Sequence, residues 1–303
     1  MKRIYILIFA LLFMPLAAYC NGEEEWIVYD VQKQQTAEMT LPEYSPPPSD
    51  ERVEITGTAD ENQKPALTLI FFWAKDKDSE MQKGNYCSGA LVGKNLVLTA
   101  AHCAMDDKGF FTNDVEILAP GVSSLPHAQS TKVIVPKKYK VCSKVYSECH
   151  KYDYAFIILN TPLGEKLGYF GTKIYSRREL LHKKIQVLGR GTDKPITTLW
   201  AVDGDIGKVS SSFIKHNAYT IPGNSGGPIV LTDNPGNIIA INVFVKDIYI
   251  KYPYGGLLIT PTIEKMIFQL RKQEEFSKEL KKLNKEIIDK ISISTKNVIN
   301  LQQ

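Results

Sequence analysis

Short apolar runs separated by turn-forming residues dominate the chain between residue 66 and about residue 260. The runs are rich in β-branched and aromatic residues, and Gly, Pro, Asn and Asp interrupt them at short intervals. Residues 67–73, 95–99, 115–118 and 155–159 are typical examples. Runs of this length and composition are typical of strands, and their regular spacing predicts an all-β sandwich or barrel.

A helical pattern replaces the strand pattern after Pro261. Ile263, Met266, Ile267 and Leu270 recur at the spacing of one helical face. We expect this first part to pack on the β domain. Residues 273–303 continue as a charged helical tail, for which solvation and binding of a partner through an amphipathic face are both open.

The N-terminal residues have the pattern of an export signal. Lys2 and Arg3 precede an apolar run at residues 4–18 that ends in small residues. This run is short for a membrane span, which needs about 20 residues. The pattern predicts a cleaved signal at residues 1–20 and a secreted or periplasmic protein with no stable membrane span afterwards. An uncleaved signal anchor is the alternative. Lipidation of Cys20 is disfavoured, because Tyr19 lies where lipoprotein sites have a small residue.

Residues 21–52 form an acidic leader. They hold eight acidic residues against two basic ones, and Pro46, Pro47 and Pro48 lie in a row. This composition predicts an extended, solvated pro-segment or linker. The remaining body is basic, so a second hypothesis is that the leader docks on the body and masks it until removed. The basic charge is too diffuse to indicate a nucleic-acid partner.

Four cysteines remain if Cys20 belongs to the signal region. They are Cys87, Cys103, Cys142 and Cys149. In an exported chain, four cysteines indicate two disulfides. Of the three possible pairings, the local one, Cys87 with Cys103 and Cys142 with Cys149, is favoured because it closes short loops.

Three motifs place a histidine, an aspartate and a serine in order along the chain. An apolar strand delivers His102 at the end of CSGALVGKNLVLTAAHC, Asp153 opens the apolar run 155–159, and Ser225 lies in PGNSGGP. Alone, each is more often a structural or turn residue. Together they supply a base, its orienting carboxylate and a nucleophile for acyl transfer. Gly223 allows a turn that exposes backbone N–H groups, so Gly223 and Ser225 are candidates for the oxyanion hole.

The strings TAAHC, YDYA and GNSGGP resemble the three motifs of the trypsin-like serine peptidase superfamily. The resemblance implies two six-stranded antiparallel β-barrels, here with a C-terminal α-helix, in a peptidase domain at residues 53–272. It implies a secreted serine endopeptidase that uses an acyl-enzyme intermediate and the triad His102, Asp153 and Ser225. The implied partner is a protein or peptide substrate, the expected state is a monomer, and neither a cofactor nor a metal is expected.

Neutral Asn224 distinguishes this chain from animal trypsins, which place an aspartate before the nucleophile to receive a new amino terminus. The stretch DERVEIT at residues 50–56 resembles the start of the mature domain in the glutamyl endopeptidase and exfoliative-toxin branch. The Cys87 and Cys103 pair, in contrast, is similar to trypsin itself.

The resemblance also implies a substrate pocket. Its residues would be Tyr219, Thr220, Asn242, Val243, Phe244 and Val245, the last three pairing with substrate as an added strand. Glutamyl-specific relatives carry a histidine where this chain has Asn242, and Tyr219 offers no acid for Lys or Arg. A neutral polar or apolar side chain is therefore expected next to the scissile bond.

Two other kinds of protein share this fold. One is an inactive binding or toxin-type module, against which the intact set of His102, Asp153, Ser225 and Gly223 argues. The other is an envelope quality-control protease, which carries peptide-binding domains after the catalytic one. Only about 40 residues follow Pro261 here, too few for such a domain.

Overall fold

The computed structural model describes residues 26–30, 52–54, 67–75, 82–105, 114–118, 128–141, 147–195, 198–245 and 251–275. The predicted export signal, Cys20, Cys142 and most of the predicted tail lie outside these residues. The chain divides into two units, one ending at Ile259 and one beginning at Thr260.

The described residues of the first unit are mostly strands. The strands are β1 (Trp26–Asp30), β2 (Val53–Glu54), β3 (Leu67–Lys75), β4 (Gln82–Leu91), β5 (Leu96–Thr99), β6 (Asp114–Leu118), β7 (Ala128–Pro136), β8 (Ala155–Leu159), β9 (Gly171–Thr172), β10 (Lys184–Gly189), β11 (Trp200–Val209), β12 (Phe213–His216), β13 (Pro228–Leu231), β14 (Asn234–Val245) and β15 (Tyr254–Leu258). The helices are α1 (Lys137–Val141), α2 (Gly164–Leu167), α3 (Arg177–Leu180), and the 3₁₀ helices Ala101–Cys103 and Ser147–Tyr152.

The first sheet closes on itself. Its strands follow the order β7, β6, β3, β4, β5 and β8, and β8 pairs again with β7, which completes a six-stranded ring. Each pairing in the ring is antiparallel. Closure satisfies the backbone groups that an open sheet would leave at its edges.

The second sheet also closes. Its order is β10, β13, β14, β15, β12 and β11, with β11 pairing back to β10, and all these pairings are antiparallel. Short β2 extends β11, and β9 pairs parallel with β14. The prediction of two six-stranded antiparallel barrels is confirmed.

The apolar runs of the sequence fill the barrels. All four residues of β5 and of β13 are buried, which explains why these runs, apart from Thr99, are apolar rather than alternating. The second barrel is filled by a cluster that includes Ile185, Val187, Ile206 and Ile229. Full burial of one such side chain stabilises the fold by roughly 1.5–3 kcal/mol.

The structure describes two parts of the leader at residues 21–52. Residues Trp26–Asp30 form β1, which pairs antiparallel with β7 from Trp26 opposite Pro136 to Asp30 opposite Lys132. Arg52, at the other end of the leader, is buried. The expectation of a solvated linker therefore does not describe these two places.

The second unit contains the predicted C-terminal helix, α4, described over residues 261–275. The hydroxyl of Thr260 accepts a hydrogen bond from the Ile263 N–H at 3.3 Å, which caps the first turn, and Pro261 is favoured at the first helical position. The predicted apolar face is buried at Ile263, Met266, Ile267 and Leu270. Among the described helices, none combines the length and the apolar character that crossing a membrane would require.

Candidate active site

His102 and Asp153 are joined by two hydrogen bonds. The His102 Nδ1 lies 2.7 Å from Asp153 Oδ2, and the His102 backbone N–H donates to Oδ1 at 2.9 Å. Strands β5 and β8 are paired neighbours with Thr99 opposite Ala155, so the ends of both strands bring these residues together. Both oxygens of the Asp153 carboxylate therefore bind His102. This fixes the orientation of the imidazole and favours the tautomer with the proton on Nδ1.

The electrostatics of this pair favour a protonated imidazole. Partial burial lowers the pKa of His102, but the charge of Asp153 and its hydrogen bond more than offset this, so the pKa lies above the ordinary 6.5. The side chain of His102 is 34% exposed, whereas Asp153 is only 3% exposed. The imidazole can therefore meet solvent while its carboxylate partner is shielded.

A disulfide holds the short helix that carries His102. Cys87 in β4 is bonded to Cys103, with their Cα atoms 6.0 Å apart, as predicted. Cys149 is also in a disulfide. Its predicted partner, Cys142, lies outside the described residues, so that pairing stays a prediction.

The Ser225 loop is closed by local hydrogen bonds. The side-chain oxygen of Asn224 accepts from the Ile221 N–H at 3.1 Å, and the backbone carbonyl of Asn224 accepts from the Gly227 N–H at 3.0 Å. Gly223 and Gly226 have φ of 97° and 76°, values that favour glycine. Asn224 is buried, and burial disfavours an unpaired carboxylate, so a neutral residue fits this position before Ser225.

Consecutive residues of β4 link the two halves of the site. Cys87 is bonded to Cys103, next to His102, and the Ser88 N–H donates to the Ser225 carbonyl at 2.8 Å. From the second barrel, the Asn242 carbonyl accepts from the Gly226 N–H at 2.7 Å. The first barrel thus supplies His102 and Asp153, the second supplies Ser225, and β4 holds both segments.

Hydrogen bonds orient the backbone around Gly223. The Thr192 N–H donates to the Pro222 carbonyl at 2.9 Å, and the Ser88 hydroxyl donates to the Gly223 carbonyl at 2.8 Å. A trans peptide directs its C=O and N–H to opposite sides. The Gly223 N–H therefore points away from Thr192, a direction that the contact with Pro222 determines.

The predicted pocket residues are mostly buried. Thr220, Asn242 and Val243 are buried, Phe244 is partly exposed, and the side chain of Val245 lies outside the description. The Asn242 amide donates to the Asn224 carbonyl at 3.3 Å, so it supports the Ser225 turn. The Tyr219 ring packs edge-on against Tyr254, with centroids 6.0 Å apart.

Two histidines that the motif analysis did not single out lie near these residues. His216 is fully buried and stacks on Tyr254, and burial lowers the pKa of His216 to about 3 despite an opposing contribution from the Ala218 backbone. His150 stacks on Phe244 at 4.8 Å. Partial burial is the main cause that lowers the pKa of His150. The Asp153 charge raises this pKa, the His102 charge lowers it further, and the net result lies below the ordinary 6.5. Neither histidine belongs to a motif, so only tertiary contacts identify them.

Two further residues that contact the predicted site residues were not predicted from the sequence. Ser88 lies inside the histidine motif, where a hydroxyl beside Cys87 could have drawn attention. Arg52 lies inside the DERVEIT stretch, but no local pattern indicates that its guanidinium lies 5.7 Å from the Tyr219 ring centroid.

Cys87, His102 and Cys103 have ligand atoms within 4.8 Å of one another. Both sulfurs are in the disulfide, and a disulfide has no thiolate to bind a metal. These three residues therefore do not form a set of metal ligands.

Comparison with known proteins gives a family match and two partial sequence relatives. The profile of the Trypsin family matches residues 72–256. A glutamyl endopeptidase of Bacillus licheniformis is 29% identical over 147 residues, which cover 47% of this chain and 44% of that protein. An extracellular metalloprotease of Bacillus subtilis is 26% identical over 182 residues, covering 60% of this chain and 56% of that protein. The chain thus spans about half the length of each relative.

A solved structure of a Glu endopeptidase in complex with MPD matches with a TM-score of 0.61 and 19% identity, covering 74% of this chain and 98% of that one. At this identity the match shows the fold, a double barrel of the same type. The match to the first sequence relative confirms the expected similarity to the glutamyl endopeptidase branch.

Proposed function

Because the chain belongs to the trypsin family of serine peptidases, we propose that it is a secreted endopeptidase that cleaves peptide bonds through an acyl-enzyme formed on Ser225. The observation that carries the proposal is the pair of hydrogen bonds between His102 and Asp153. Strand β4 contacts both the short helix that contains His102, through the disulfide, and the Ser225 segment, through a backbone hydrogen bond. The peptidase domain would extend over residues 53–272, and Arg52, the last residue of the leader, would remain attached to it in the active protein.

In the proposed mechanism, Ser225 Oγ attacks the scissile carbonyl while His102 Nε2 takes the hydroxyl proton. The same imidazolium then gives that proton to the leaving amine, which departs and leaves an ester on Ser225. A water molecule, deprotonated by His102, hydrolyses the ester and regenerates the serine. Asp153 holds the His102 tautomer and stabilises the imidazolium at each stage.

The developing oxyanion would be bound by the N–H groups of Gly223 and Ser225. Support comes from the φ of 97° at Gly223 and from the contact of Pro222 with Thr192, which turns the Gly223 N–H away from the loop behind it. Loss of one such donor costs about 100- to 1,000-fold in turnover in other serine peptidases.

The substrate would lie along residues 243–245 as an added strand, next to the partly exposed Phe244. The neutral character of Tyr219, Thr220 and Asn242 supports a preference for a neutral polar or apolar residue before the scissile bond. Peptides that differ only at that residue test this preference, and faster cleavage after Glu or after Lys would contradict it.

Labelling with an active-site-directed fluorophosphonate and cleavage of casein test the function. We expect the parent protein to be labelled and to cleave, and the Ser225→Ala variant to do neither. Ser210→Ala is a matched control, because Ser210 is an exposed serine outside the site. A folded parent that neither labels nor cleaves would contradict the proposal and favour the inactive binding module.

A further inference from the structure

Arg52 is a buried cation with a defined anionic partner. Its side chain is 3% exposed. One terminal nitrogen of the guanidinium donates to Asp193 Oδ1 at 2.9 Å, and the other donates to Oδ2 of the same carboxylate. Such a bidentate pair has a strict geometry, and a shielded charge that loses its partner is costly. The pair therefore joins two segments 141 residues apart in a fixed arrangement.

The acid of this pair belongs to the loop that lies behind Gly223. We name residues 190–195, which follow β10, the support loop. Arg190 closes the loop on itself, because its side chain donates to the carbonyls of Lys194 and Pro195 at 3.0 and 3.1 Å. The Arg190 N–H also donates to the Ser88 hydroxyl at 3.0 Å, and that hydroxyl donates to the Gly223 carbonyl.

The support loop and the Ser225 turn are in backbone contact. A Cβ at Gly223 would lie 2.6 Å from the Arg190 carbonyl oxygen and 3.0 Å from the Thr192 nitrogen. The Thr192 N–H holds the Pro222 carbonyl at 2.9 Å and so determines the direction of the Gly223 N–H. A shift of the support loop would therefore turn this N–H.

Arg52 packs directly on the support loop as well as pairing with it. A Cβ at Gly191 would lie 2.7 Å from Arg52 Nη1 and 2.7 Å from Asp193 Oδ1. The guanidinium thus occupies the space beside Gly191, one residue before Thr192. Contacts run without a gap from Arg52 through Asp193 and Thr192 to the peptide that carries the Gly223 N–H.

We propose that Arg52 is a positioning residue for the oxyanion hole, acting through Asp193 and the support loop on the direction of the Gly223 N–H. The inference rests on the proposed function, since it concerns the same site.

Lysine cannot reproduce this arrangement. It retains the charge but presents one compact ammonium group instead of two parallel donors. The Arg52→Lys variant therefore changes geometry with little change in charge, and Asp193→Asn removes the anion with little change in shape. Arg178→Lys is the matched control, because Arg178 is an exposed arginine in α3.

The experiment uses the full chain with a fluorogenic peptide substrate and a peptide aldehyde, which forms a tetrahedral adduct with the serine. For Arg52→Lys and Asp193→Asn we expect kcat to fall about 10- to 1,000-fold, the upper limit being the loss of a whole oxyanion donor. KM should change less than about threefold, because the interaction is made mainly in the transition state. The inhibition constant of the aldehyde should rise in parallel with the loss in kcat/KM.

Three outcomes would overturn the inference. Parental kinetics in folded Arg52→Lys and Asp193→Asn variants would show that the pair only stabilises the fold. A raised KM with unchanged kcat would assign Arg52 to the pocket, through its contact with Tyr219. A fall in kcat with an unchanged affinity for the aldehyde would separate Arg52 from the oxyanion hole.

The design remains decisive if one variant does not fold. Thermal unfolding of each variant identifies that case, and the other variant then carries the test, because Arg52 and Asp193 are changed independently. A parent that is neither labelled by fluorophosphonate nor active would contradict the proposed function and this inference together. An active parent with unaffected variants would contradict this inference alone.

Discussion

The imidazole of His102 sets the expected pH dependence of the reaction. As the proposed general base it must be neutral, and Asp153 holds its pKa above the ordinary 6.5. Activity should therefore be lost as the pH falls through this raised value, and kcat/KM should rise along an acid limb centred above 6.5. A profile centred well below 6.5 would contradict this role of Asp153.

Replacement of Asp153 by asparagine tests the same pair. The amide cannot supply the charge and favours the wrong tautomer, so we expect kcat to fall about 10⁴-fold. The acid limb of the remaining activity should move to lower pH, because the main contribution that raises the pKa of His102 is gone. Asp203→Asn, at an exposed aspartate of the second barrel, is a control.

Gly223 should tolerate no side chain. Its φ of 97° is unfavourable for other residues, and a Cβ would lie 2.6 Å from the Arg190 backbone oxygen. For Gly223→Ala we expect fluorophosphonate labelling to slow about 100-fold or more, as for a lost oxyanion donor. Gly236→Ala is the matched control, since no atom lies within 4 Å of its added Cβ. Equal labelling rates in the two variants would contradict this prediction.

Neutral His216 should make the fold sensitive to acid. The folded state holds its pKa at about 3, whereas the unfolded chain has the ordinary 6.5, so the folded state binds fewer protons between these values. Its contribution to stability is complete above pH 6.5 and is lost as the pH falls toward 3, a few kcal/mol at most.

The His216→Gln variant is neutral at every pH and measures this contribution. We expect its free energy of unfolding to change less between pH 6.5 and pH 4 than that of the parent. Urea denaturation at each pH measures both free energies. His182→Asn, at an exposed histidine, is the matched control. An unaltered slope in His216→Gln would show that His216 is not held neutral.

At the scale of elements, the Cys87–Cys103 disulfide joins β4 to the short helix at Ala101–Cys103. A Cys87→Ala, Cys103→Ala double variant opens a loop with a sequence separation of 16. The expected loss is about 3 kcal/mol of stability in the chain-entropy description. We also expect slower labelling of Ser225, because the helix that carries His102 loses its link to β4.

Urea denaturation and fluorophosphonate labelling measure these two effects separately. The double variant is preferable to chemical reduction, because a reductant would also open the disulfide of Cys149. Full stability and full labelling in the double variant would show that β-sheet pairing alone holds the helix in place.

At the scale of the whole molecule, the proposed export can be tested on the full chain. Expressed in a bacterium with an export pathway, the protein should appear outside the cytoplasm without residues 1–20, as intact mass measurement would show. Leu11→Arg places a charge in the apolar run and should retain the protein in the cytoplasm. Export of that variant, or a retained N-terminus in the parent, would contradict the predicted signal.

The whole molecule also explains why neither barrel suffices for the proposed chemistry. His102 and Asp153 lie at the ends of β5 and β8 in the first barrel, and Ser225 lies just before β13 in the second. A Cβ at Gly226 would lie 2.1 Å from the Thr99 hydroxyl, so the Ser225 turn approaches the first barrel closely. The arrangement of the proposed triad is therefore a property of how the barrels meet.

The sequence by itself determined the strands, the C-terminal helix, the three motifs and the Cys87 and Cys103 pair. These features depend on local patterns, because strand and helix periodicity, turn glycines and short loops are written in neighbouring residues. The leader was predicted less well, since its composition indicates solvation but does not reveal the pairing of β1 with β7.

Only the tertiary structure decided the contacts that join distant segments. Arg52 meets Asp193 across 141 residues, and the Ser88 hydroxyl meets Gly223 across 135. His216 becomes a buried neutral histidine because barrel closure covers it. Such contacts depend on the registers of several strands at once, and no local pattern contains that information.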